Sequence, residues 1–191
     1  MAKEQRLVVN SFAELKDFIL NPLHFCAINI TGNSVDEISI EQCQALAEAL
    51  KLHNGRITLI KIANVSINDD GAIMICEALA SRRVPSDYHP SILDFRHNYL
   101  TDDSVSTLKS LGSKVKILHL DNNYFSDGAL RFKGSILANE FDYVKLNNNY
   151  IKTTDSITKF SCFSDYISCR NQRLMEISDD GLEVIGEVTG E

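Results

Sequence analysis

The feature that most constrains this chain is a phrase it repeats. "FRHNYL" (95–100), "LDNNYF" (120–125) and "LNNNYI" (146–151) share one frame: an apolar residue, two polar residues, Asn, Tyr and another apolar residue. The framed asparagines, Asn98, Asn123 and Asn149, fall 25 and 26 residues apart. A fixed period of this length marks an array of like units, none of which can bury its apolar side alone. The array must therefore stack into a solenoid around one continuous core.

Extending the frame upstream finds two more copies. "FCAINITGNSV" (25–35) sets Phe25, Ile28, Ile30, Asn33 and Val35 in register. "ITLIKIANVSI" (57–67) sets Ile57, Ile60, Ile62 and Ile67, with Val65 in the asparagine place and Asn64 one residue early. A sixth, looser copy is "FSDYISCRNQRL" (163–174), with Ile167, Cys169 and Leu174 apolar and Asn171 again early. Between copies lie helical patterns. "SIEQCQALAEALK" (39–51) opens with a Ser39-x-x-Gln42 capping box and gathers Cys43, Leu46, Ala47 and Leu50 on one face. "DDGAIMICEALASRR" (69–83) does the same with Ala72, Ile75, Cys76 and Leu79, and "DDSVSTLKSLGSK" (102–114) with Val105, Leu108 and Leu111, Gly112 then standing as a C-cap. The predicted unit is strand, turn, helix.

The frame looks like the leucine-rich repeat, L-x-x-L-x-L-x-x-N-x-L. The halves "INDDGAIMICEALA" and "FSDGAL" resemble the ribonuclease-inhibitor-like branch of those proteins over about residues 25–160. That resemblance implies an α/β fold: a short right-handed solenoid, parallel strands on the concave face and helices on the convex face. Ser39, Ser104 and Asp155 stand near the place of Gly71, and "SRRVPSDYHP" (81–90) lengthens one connection. The expected organisation is a capping strand and helix over 1–24, about five repeats over 25–162, and a loose last repeat with a C-terminal capping helix from about Asp179 over 163–191. The first cap draws on a Ser11-x-x-Glu14 box and on Phe12, Leu15, Phe18 and Ile19, ending near Pro22.

Within this frame Asn33, Asn98, Asn123 and Asn149 read as a structural ladder, each amide bonding backbone of an adjacent coil. Strand alternation then turns three rows into the concave face. An apolar row holds Leu59, Ile92, Ile117, Tyr143 and Tyr166. A charged row holds Lys61, Asp94, His119 and Lys145, and beyond it stand Arg96, Asp121 and Arg170. A contiguous exposed apolar row of this kind marks a surface for another protein. Tyr99, Tyr124 and Tyr150 should line one rim, where mutual stacking and binding remain open alternatives.

Composition removes other classes. The net charge is −7 and no Lys/Arg run exceeds Arg82-Arg83, so nucleic acid lacks an electrostatic footprint. No segment has the length of a membrane span, and Glu4, Glu14 and Asp17 interrupt the start where a signal peptide needs an apolar core. Five cysteines without a C-x-x-C pair speak against a disulfide framework and a zinc site, and fit the reducing cytoplasm; one Cys162–Cys169 bridge stays open. Asp94 beside His119 has the spacing of an acid/base pair, but no nucleophile, metal set or phosphate loop accompanies it. The chain is thus expected to be a non-enzyme without cofactor or metal. The resemblance adds one alternative, an inhibitor or GTPase-activating partner of an enzyme, with Arg96 or Arg170 acting on a phosphate; separately, a short acidic repeat chain without a Sec signal and with an acidic tail (Asp179, Asp180, Glu183, Glu187, Glu191) loosely resembles secreted bacterial effectors delivered to a host cytoplasm.

Overall fold

In a computed structural model of the chain, residues 6–15, 25–32, 37–132, 140–151, 167–168, 172–178 and 181–188 are described. Arg6–Val9 (β1), Phe25–Thr31 (β2), Ile57–Ala63 (β3), Ile92–Asp94 (β4), Ile117–His119 (β5), Tyr143–Lys145 (β6) and Ile167–Ser168 (β7) form a seven-stranded sheet in sequence order. Every pairing in it is parallel. Parallel neighbours in sequence order require a crossover after each strand, and such crossovers are right-handed. The fold is a short right-handed leucine-rich-repeat solenoid, strands inside the curve and helices outside.

The described crossovers differ in their helices. Ile40–Leu52 (α1) and Asp69–Ser81 (α2) are full helices. Ser39 and Gln42 close the capping box at α1, with Ser39 N–H donating to Gln42 Oε1 and Gln42 N–H to Ser39 Oγ. Asn68 caps α2 through Gly71 N–H. The third crossover is a 3-10 turn, Asp102–Ser104, running into the five-residue Val105–Lys109 (α3), and the fourth begins as a 3-10 helix, Asp127–Arg131. Gly112, read from sequence as a cap, serves close packing instead: a Cβ there would lie 2.4 Å from Glu140 Cβ.

One core runs through the stack. Inward strand residues Ile28, Ile60, Leu93, Leu118 and Val144 form one file and Ile30, Ile62, Phe95, Leu120 and Leu146 the next. Ile67, Leu100, Phe125 and Ile151 close each turn from the far side, and Leu46, Leu50, Ile75, Leu79, Val105 and Leu108 meet them from the convex layer. Full burial of each such side chain contributes about 1.5–3 kcal/mol.

Two expectations about the ends change. The chain over Gln172–Ser178 (β8) and Gly181–Val188 (β9) is an antiparallel hairpin, not a helix from Asp179. Its β-branched Val184, Ile185 and Val188, and the Asp180-Gly181 dipeptide, are strand and hairpin signals that outweigh the acidic helical spacing. At the other end the described part of the first cap is β1 and a 3-10 turn, Phe12–Glu14, in which Ser11 Oγ donates to Glu14 and accepts no backbone N–H. Phe18, Ile19 and Pro22 lie outside the described residues, as do Cys162 and Cys169.

Candidate protein-binding face and its asparagine spine

Where each strand ends, the chain needs a left-handed residue and then a donor-rich one. His97, Asn122 and Asn148 take φ of 57°, 58° and 56°. Asparagine tolerates that conformation better than other residues with a Cβ, which accounts for the Asn-Asn doublets. The following asparagine turns inward. Asn98 Oδ1 accepts from Val65 N–H and Ile67 N–H at 3.3 and 3.2 Å, while its amide donates to Ile62 O and Phe95 O at 2.8 and 2.9 Å. Asn123 Oδ1 accepts from Leu100 N–H, and Asn149 Oδ1 from Asn123 N–H and Phe125 N–H. All three side chains are buried. Asn64 explains its early position, since it fills the left-handed site itself, φ 60°, and its amide reaches Gly32 O at 2.8 Å. Asn33 lies outside the described residues.

A second spine went unread. Asp69 accepts from both N–H and Oγ1 of Thr101, and Asp102 accepts from Ser126 N–H, Ser126 Oγ and Gly128 N–H. Each carboxylate thus reaches the capping residue of the next coil. The signal was present in the recurring "ND", "TD" and "SD" before each crossover, but a capping reading looks within one helix and not across coils.

On the concave side the strands register Ala27, Leu59, Ile92, Ile117 and Tyr143 as one row, and Asn29, Lys61, Asp94, His119, Lys145 and Ser168 as the next. Leu59, Ile92, Ile117 and Tyr143 are partly exposed. Val8 extends that row through its pairing with Ala27 and is 39% exposed; the run "RLVV" was read as a cap, so Val8 was missed. Lys145 Nζ lies 5.8 Å from the centroid of the Tyr143 ring. Tyr166 and Arg170 lie outside the described residues.

Several polar members of these rows are committed internally. Asp94 is only 3% exposed, and Arg96 closes over it through Nε–Oδ1 and Nη2–Oδ2 contacts of 2.9 and 2.8 Å. That carboxylate raises the Arg96 pKa. Asp121 is buried and accepts from Asn147 N–H at 3.0 Å. Both were expected to face a partner; Asp94 instead satisfies donors of Arg96 next to its own strand end, and Asp121 a donor on the following coil. Asp94 and His119 are adjacent in register, yet Asp94 is spent on Arg96, and burial lowers the His119 pKa, opposed by the weaker pull of Asp94. This geometry makes no proton relay, and Arg96 is tied down rather than poised to reach a phosphate on another molecule.

Along the rim Tyr99 and Tyr124 meet edge to face at 5.7 Å, and Tyr124 stacks on Tyr150 at 5.4 Å. Tyr150 is buried, whereas Tyr99 and Tyr124 are 47% and 43% exposed.

No family model matches the chain, and no curated protein matches it in sequence. Solved structures do. The C-terminal domain of tropomodulin from Caenorhabditis elegans aligns with a TM-score of 0.59 at 17% identity, covering 78% of this chain and 89% of that one. Actin-binding site 2 of leiomodin-1 aligns with a TM-score of 0.58 at 15% identity, covering 78% and 84%. At these identities the likeness is one of fold. It replaces the ribonuclease-inhibitor-like placement: of the two segments behind that placement, "INDDGAIMICEALA" forms a full helix, but "FSDGAL" leads into a 3-10 helix, and the solved neighbours are tropomodulin and leiomodin domains.

Proposed function

We propose that this chain is a non-catalytic protein-interaction module that receives its partner on the concave face. The observation that carries the reading is the partly exposed row Leu59, Ile92, Ile117 and Tyr143 on the consecutive parallel strands β3 to β6, with Val8 exposed on β1 beyond the buried Ala27. Exposed contiguous apolar surface of this kind is characteristic of interaction sites. Lys61 and Lys145 flank the row, which suits a partner segment that combines apolar and acidic side chains. The buried thiols of Cys26, Cys43 and Cys76 support a cytoplasmic setting.

Because a neighbour of this fold is an actin-binding site, actin is the partner to test first. Monomeric and filamentous actin are titrated against the full chain and against an Ile117→Ala/Tyr143→Ala double variant, alongside affinity capture from extract with both proteins. The expected outcome is a partner retained by the wild type and lost by a double variant whose circular dichroism is unchanged. Equal capture by both proteins refutes the concave face, and absence of actin binding by the wild type removes actin alone.

A further inference from the structure

At the opposite end of the strands, where β3, β4 and β5 begin, the lengthened connection 81–90 encloses a cleft of about 320 Å³. Arg56, Ser86, His89, Ser91, Lys114 and Lys116 are among the residues lining it. The cations converge there although the chain as a whole is acidic.

Two groups at this end are underemployed for their burial. Arg82 is 5% exposed, and among the described residues the acceptors it meets are the neutral carbonyls of Tyr88, His53 and Gly55 and its Nε has no hydrogen-bond partner. His89 is 6% exposed, and its Nδ1 has none either. A buried cation whose charge meets no carboxylate is unfavourable in isolation and favours the arrival of an anion. Burial, reinforced by Lys114 and Arg82, draws the His89 pKa down to about 4, and burial with Arg82 lowers that of Lys114. These groups feel one another's positive field. Among the described residues Asp87 is the single carboxylate lining the cleft, and Asp142 approaches Lys116 at 4.0 Å from outside it.

We propose that this cleft binds a phosphoryl group, as inorganic phosphate or as the head of a small phosphomonoester, held by Arg56, Lys114 and Lys116 beside the buried His89, with Arg82 bonded to the neighbouring Tyr88 carbonyl. Lys114 and Lys116, two residues apart just before β5, and Arg56, just before β3, bring three positive charges to one cleft, as a phosphoryl dianion requires. The volume lies at the small end for ligand sites, enough for the group and a short substituent. The site is independent of the concave face.

The test follows the His89 ring by long-range nitrogen–proton NMR on the full chain. Inorganic phosphate, O-phosphoserine and glutarate are each titrated at ionic strength held constant with potassium chloride. Saturation at concentrations on the order of 1–10 mM phosphate is expected, with affinity falling about tenfold or more in Lys114→Gln and in Lys116→Gln, as loss of a charge-assisted bond implies. Lys116 is half exposed, so its variant keeps the experiment decisive if Lys114→Gln fails to fold. Saturation by phosphate alone assigns the free ion, and saturation by O-phosphoserine as well assigns the phosphomonoester head. A shift reproduced by chloride, matched by glutarate or unchanged in Lys116→Gln overturns the proposal.

Discussion

The asparagine spine makes a ranked prediction, because its three members satisfy different numbers of groups that nothing else reaches. Removing the Asn123 amide leaves Phe95 O with Asn98 Nδ2, Leu120 O with Asn149 Nδ2 and Asp121 O with His97 N–H, so each of these carbonyls keeps a donor. Only Leu100 N–H loses its acceptor. Asn98→Ala strands two amides, Val65 N–H and Ile67 N–H, and Asn149→Ala also strands two, Asn123 N–H and Phe125 N–H. At about 2 kcal/mol for each buried donor left unmet, Asn123→Ala should cost about 2 kcal/mol and the other two about 4 kcal/mol each. With a urea dependence of roughly 2 kcal/mol per molar, the midpoint falls by about 1 M for Asn123→Ala and about 2 M for the others. The assay is equilibrium urea unfolding followed by far-ultraviolet circular dichroism, with slopes compared so that a shift in midpoint reports stability. Asn123→Asp keeps the acceptor for Leu100 N–H but turns a second oxygen toward three carbonyls, so it should cost more than Asn123→Ala at pH 7 and recover as acid protonates it. Equal midpoints across the alanine series, or Asn123→Ala as the costliest, would refute the orphaned-donor account.

Further outcomes follow from the same geometry. Gly128→Ala should lower stability by about 1–3 kcal/mol in the urea assay, because a Cβ would sit 2.5 Å from Asp102 Cγ, whose carboxylate is pinned by Ser126 and Gly128. His97→Val should cost about 1–2 kcal/mol, since a β-branched side chain is forced to φ 57°, whereas His97→Asn should not. His89 is neutral in the fold with a pKa near 4 against about 6.5 unfolded, so the unfolded chain binds the extra proton between those values. Its contribution, at most about 3 kcal/mol, is complete above pH 6.5 and is lost as pH falls to 4; His89→Gln should flatten that part of a thermal-melt profile against pH. Thiol titration of the native chain should find Cys26 and Cys43 slow to react near pH 8, because burial raises both to about 11.

What could be read in advance depended on whether a residue's role repeats. Asn98, Asn123 and Asn149 share a frame because each coil must close the same gap, so their period alone points to stacking and aligns Leu59 with Ile92, Ile117 and Tyr143 long before any coordinates. The charged rows were harder. Asp94, His119 and Lys145 occupy equivalent places, and alternation turns all of them to one side, but it carries no information about which carboxylate is taken by a neighbour on its own or the next coil. Arg96 settles that for Asp94, and the N–H of Asn147 for Asp121. Branch membership failed for a different reason: "INDDGAIMICEALA" and "FSDGAL" are short helical phrases that serve any stack of this architecture, and the solved neighbours at hand are tropomodulin and leiomodin domains. The basic cleft was least visible. Its parts, Arg56, Arg82, His89, Lys114 and Lys116, sit in three separate stretches and repeat nowhere, so nothing periodic joins them. "SRRVPSDYHP" stood out only as a departure from the frame, and departures are where a repeat protein is released from building the stack. If phosphate does saturate His89, the interruption that weakened the repeat reading is the segment that builds a site.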